Sequence, residues 1–187
     1  MSSSIDVASS ASRATIVATV GFMCLGLAGW MISMANAGWF EKVYPGGTSL
    51  LLPFSIVLAV VGILAFVDQR TLDAVIFLGG AGFLWSQHLG AGSAQPAHYV
   101  GWYAIIWAVY FFYLWLAALK ADMVRMLFLL GLWLTLLAIA LDYWGLGHLL
   151  RVIGGYIGLA TSVLAIIVSA SAILGRNLGT PAAAGGA

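Results

Sequence analysis

Charge is what this sequence lacks most. Of its 187 residues 7% are charged, seven basic and six acidic, against about 25% in an ordinary soluble domain. Hydrophobic residues make up 63% of the chain, and the mean hydropathy is +1.08. Such a chain has too little polar surface to cover itself in water and reads as an integral membrane protein. The net charge of +1 excludes the basic footprint of a nucleic-acid binder. A single cysteine, Cys24 in an apolar run, allows neither a disulfide framework nor a cysteine metal cluster. His88, His98 and His148 do not have the spacing of metal ligands, so no metal is expected. No GxSxG, P-loop, HExxH or CxxC occurs, which leaves an enzyme or a bound cofactor without a supporting motif. No acid sits in the middle of an apolar run, so no relay of acids crosses a bilayer.

What is abundant is apolar length. Six runs stand at 14–40, 48–67, 71–89, 99–119, 123–144 and 149–174, each close to the roughly 20 residues that span a bilayer. Backbone polar groups in lipid must be satisfied within the segment, so these runs predict helices rather than an open sheet. The expected fold is all-α, a bundle of six transmembrane helices over 14–176. A polar, serine-rich head (1–13) precedes it and a flexible, low-complexity tail (177–187) follows. Arg13, Arg70, Lys120, Arg125 and Arg176 fall on one side of such a bundle, and Lys42 and Arg151 on the other. By the positive-inside rule both termini are expected in the cytoplasm, with the chain a multi-pass protein of the inner (plasma) membrane. Asp73, three residues after Arg70, is expected to pair with it locally. Asp142 and Arg151 flank a short connection and are placed to pair across it.

Small residues punctuate the helices. Gly21, Gly26 and Gly29 mark the first run, "FLGGAGFLW" at 77–85 the third, and Gly154, Gly158 and Ser162 share a face of the sixth. In membranes such residues mark faces where backbones approach closely; they also leave space along a bundle axis. Tyr103, Trp107 and Tyr110 lie at i, i+4 and i+7 of the fourth run, a face expected to pack on a neighbouring helix or another subunit.

Several segments, in order and spacing, resemble the acetate uptake transporter family, whose bacterial members include the succinate–acetate permease. They are "NAGWF" (36–40), "FLGGAGFLW", "YAIIWAVYFFYLWLAALK" (103–120), "LLAI" (136–139) and "GGYIGLATSVLAIIVSASAI" (154–173), and the resemblance runs from about residue 14 to 180. It implies six helices per subunit, assembly into a hexamer, and a pore in each subunit for small monocarboxylates such as acetate. Its apolar constriction carries over to Leu25, Ala81 and a position near Leu132, with Asn36 matching a family asparagine and Trp85 a family tryptophan. The family's Asn-Pro-x-Pro signature is replaced by "IVATVGF", in which only Gly21 is shared, and Ala81 stands where the family has an aromatic residue. The expected function is a membrane channel or transporter for a small solute, with the lipid bilayer, further copies of the chain and the solute as partners. The alternatives are a non-transporting scaffold or partner subunit that kept the bundle, and a urea- or amide-type channel.

Overall fold

A computed structural model describes residues 2–40, 50–90, 95–120 and 123–174. They form six helices: α1 (Ser2–Asn36), α2 (Leu51–Val67), α3 (Thr71–Gly90), α4 (Ala97–Ala118), α5 (Met123–Tyr143) and α6 (His148–Ile173). Among the described residues there is no strand. Each apolar run of the sequence is one helix. The first helix differs in extent, because it starts at Ser2 and takes in the polar head. Extending an existing helix requires no new nucleus, so residues of modest propensity can continue one that the apolar run has formed. The expected tail, 177–187, lies outside the described residues.

Ser12–Asn36, Ala97–Ala118, Met123–Tyr143 and His148–Leu174 are long and apolar enough to cross a membrane by length and composition. The 17-residue α2 is apolar but shorter, about 25 Å at 1.5 Å per residue. The 20-residue α3 is diluted by Gly79, Gly80 and Gly82 and by Ser86, Gln87 and His88. These two helices pack along each other. Their seam is sealed by Ser55, whose hydroxyl donates to the Ala81 carbonyl at 2.8 Å.

α1 lies along α6, and α5 sits between α4 and α6. Glycine makes the α1–α6 approach possible. A Cβ on Gly155 would stand 2.7 Å from the Ala37 Cα, and one on Gly29 would stand 2.8 Å from the Ser162 hydroxyl. Gly154 faces α5 in the same way, with the Thr135 carbonyl 3.1 Å from where its Cβ would be. α3, by contrast, touches α1 and α4 only over short stretches. Backbones that diverge there leave room inside the bundle.

The charges collect at its two ends. At one, Arg13 pairs with Asp68 at 3.4 Å, and Asp73 is shared by Arg70 and by Arg125, the latter at 2.9 Å. The expected Arg70–Asp73 pair is present, and α5 adds a second arginine to it. At the other end Arg151 meets Asp142 at 3.9 Å.

Candidate functional site: a cavity ending on three phenylalanines

A cavity of about 570 Å³ lies inside the single chain, within the roughly 300–1,000 Å³ of small-molecule sites. Helical periodicity builds its walls. On α1 the lining residues Leu25, Gly29, Ser33 and Asn36 follow one another at three- and four-residue steps, the spacing of a single helix face. On α5, Phe128, Leu132, Thr135 and Ile139 do the same, and on α3 Gly80, Leu84 and Gln87. The wall is mostly apolar, with a tier of hydroxyls at its middle. Ser162 and Thr161 turn theirs back onto the carbonyls of Gly158 and Ile157, each at 2.8 Å. The hydroxyl of Thr135, a residue 8% exposed, is buried and has no partner among the described residues.

One end of the cavity is shut by aromatic rings. Phe128 forms part of its wall, and beside it lie Phe22 and Phe77, both fully buried. The Phe22 ring meets Phe77 edge-on at 5.2 Å between centroids and Phe128 edge-on at 5.7 Å, the geometry that ring quadrupoles favour. Gly21 seats this cluster, because a Cβ there would overlap the Phe77 ring. Behind the rings comes charge: the Arg125 guanidinium lies 5.4 Å from the Phe22 centroid and is tied to Asp73. Arg70 joins Asp73 and also donates to the Ala14 carbonyl.

At the opposite end stand Asn36, Tyr143 and Arg151, all lining the cavity. Arg151 donates from Nε to the Asn36 side-chain oxygen at 3.3 Å and from Nη2 to the Tyr143 hydroxyl at 2.6 Å.

The residues expected at the constriction divide. Leu25 and Leu132 line the cavity. Ala81 does not, being buried against α2 with its carbonyl bonded to Ser55. Trp85 is 47% exposed on the outside of the chain. At 100° per residue both turn toward the α2 side of the face that carries Phe77, Gly80 and Leu84, so neither lines the cavity. One turn before Ala81 on the same helix stands Phe77, which is fully buried. Phe22 and Phe128 likewise stand one turn before Leu25 and Leu132. A phenylalanine near the start of each of three runs was the available signal.

The α4 aromatic face and the α6 glycines are seams within the chain. Trp107 packs edge-on against Phe83 of α3 at 5.4 Å, and Tyr110 donates to the Val75 carbonyl at 2.7 Å across the space that Gly79 leaves. A Cβ on Gly158 would stand 3.2 Å from the Ser33 Cβ. Tyr103 shares a hydrogen bond with Ser86.

No protein-family model and no curated protein sequence matches the chain. Among solved structures, "Structure of the bacterial acetate channel SatP" is similar with a TM-score of 0.80 at 20% sequence identity, covering 88% of this chain and 97% of that one. The likeness read from the order of the sequence segments therefore holds at the level of the fold: this chain, with its six helices, shares the fold of the bacterial acetate channel SatP.

Proposed function

We propose that the chain is a membrane channel or transporter that passes a small solute, a monocarboxylate such as acetate, through the cavity inside each subunit. The observation that carries this reading is the cavity itself: a largely apolar space with Phe128 on its wall, backed there by the buried Phe22 and Phe77. The likeness to an acetate channel supports the class of solute. In this reading all six helices cross the inner membrane. The Arg13–Arg70–Arg125 end and both termini face the cytoplasm, in line with the excess of basic residues there. The Arg151 end is the external mouth. Six copies form a hexamer, as the family resemblance implies. Leu25 and Leu132 form the rim of the neck, the three phenylalanines close it, Gly21 seats Phe77, and Asn36 belongs to the mouth.

An apolar neck between wetter chambers selects for solutes that shed water cheaply. The test is an isotope-uptake and swelling panel in proteoliposomes, with acetate, formate, urea and ammonia at two pH values. Acetate uptake is expected, and Leu25→Ala, which trims the rim, is expected to raise it. Absence of flux for every solute ends the channel reading.

A second reading, a bundle kept without transport, is favoured by one observation: Phe22 and Phe77 leave no opening at their end, both being 0% exposed. The two readings part on whether trimming those rings releases flux.

A further inference from the structure

Arg151 is the one charged residue among the described residues that line the cavity. It stands in the first turn of α6 with its side chain 32% exposed, and its guanidinium is fixed on two sides. Nε donates to Asn36 and Nη2 to Tyr143, and the group lies 4.9 Å from the Tyr143 ring centroid. The Asp142 carboxylate approaches the Nε edge at 3.9 Å, beyond hydrogen-bonding distance. Among the described residues, Nη1 and the second N–H of Nη2 have no partner. These two donors form the terminal edge of a planar, permanently charged fork, whose spacing matches the two oxygens of a carboxylate. The amide nitrogen of Asn36, on the same wall, is also unpartnered among the described residues.

Inward of this point the polar groups on the cavity wall are neutral, Ser33, Thr135, Thr161 and Ser162 among them. A hydroxyl tier does not distinguish acetate from acetamide by charge, whereas a fixed guanidinium does. Asn36 and Tyr143 hold the fork in place, so that little side-chain freedom is lost on binding. Asp142 offsets part of the charge without occupying the fork.

We infer that Arg151, positioned by Asn36 and Tyr143, is a carboxylate-binding station at the cavity mouth, the point at which a small monocarboxylate anion is distinguished from neutral solutes of the same size. This deepens the channel reading and rests on it for the identity of the ligand.

The test is a scintillation-proximity assay of radiolabelled acetate on the full-length detergent-solubilised protein, with acetamide as neutral competitor. Saturable binding is expected, unlabelled acetate should compete, and acetamide should not. Losing a charge-assisted pair should weaken binding about 10- to 100-fold in Arg151→Gln. Arg151→Lys keeps the charge without the fork and is expected to lose about 10-fold. It decides the matter if the glutamine variant does not fold. Absence of saturable binding, equal competition by acetamide, or unchanged affinity in Arg151→Lys and Arg151→Gln overturns the station. Flux through the same preparations separates this from the channel reading. A wild type that conducts acetate while Arg151→Gln shifts neither affinity nor half-saturating concentration sinks the station alone. A wild type that binds through Arg151 but conducts nothing sinks the channel alone.

Discussion

Replacing Phe22 by alanine should open the closed end of the cavity. Phe22 is the shared member of the ring cluster, meeting Phe77 at 5.2 Å and Phe128 at 5.7 Å between centroids, both edge-on. Each such pair contributes about 0.5–1.5 kcal/mol beyond simple burial, so the closed arrangement loses about 1–3 kcal/mol when both are removed. If passage requires the rings to part, the open population rises by the corresponding factor, about 5- to 150-fold. Cation–π contact with Arg125 at 5.4 Å adds a further ~0.5–1 kcal/mol in the same direction. The transfer term that dominates phenylalanine-to-alanine changes in water-soluble cores is small here, because lipid is as apolar as the interior. The protein should therefore remain folded. Stopped-flow swelling or acetate uptake in proteoliposomes reads the change, with gel filtration as the control for integrity. A folded Phe22→Ala variant whose flux equals that of the wild type refutes the assignment of these rings as the closure. It would also favour the non-transporting reading.

Asp73→Asn should lower stability by about 2–3 kcal/mol, read as a lower melting temperature in detergent. The carboxylate is 3% exposed and serves two arginines, and removing one member of a buried ion network costs about 3–5 kcal/mol. The arginines are 22% and 24% exposed, which justifies the smaller figure, and an unchanged melting temperature would refute the network's role. Two glycines should respond in opposite senses. Gly155→Ala drives a Cβ into the α1 backbone at Ala37 and should destabilise the bundle or prevent its assembly. Gly82→Ala meets only the rim of Trp107 at 3.4 Å and should be tolerated or raise stability by up to about 1 kcal/mol through helix propensity. Equal melting temperatures for these two variants would contradict the packing described for α6.

The six helices were legible because the feature that defines them is local. A run of about 20 apolar residues in a charge-poor chain has one stable form in a bilayer, and the runs from 71, 99, 123 and 149 lie within two residues of α3 to α6 at both ends. The Arg70–Asp73 pair was legible for the same reason, its partners being one turn apart. At Gly154 and Gly158 the sequence marked a face without side chains, which allows close packing and space along the axis alike.

What the sequence withheld is register around each helix axis. Apolar residues cover α3 on all sides, so residue type alone does not say that Phe77 and Ala81 are buried while Trp85 is exposed. Only packing against α2, where Ser55 binds the Ala81 carbonyl, turns Phe77 inward and Trp85 outward. The long-range polar contacts were hidden likewise. Arg125 reaches Asp73 across 52 residues and Arg151 reaches Asn36 across 115, and no spacing rule connects residues on different helices. The sequence by itself therefore determined the number, length and approximate ends of the helices, and the bilayer as their solvent. The tertiary structure decided which faces meet, and with them the cavity, the phenylalanines clustered beside one end and the arginine on its wall at the other. In a uniformly apolar helix, rotation about the axis is fixed only by its neighbours.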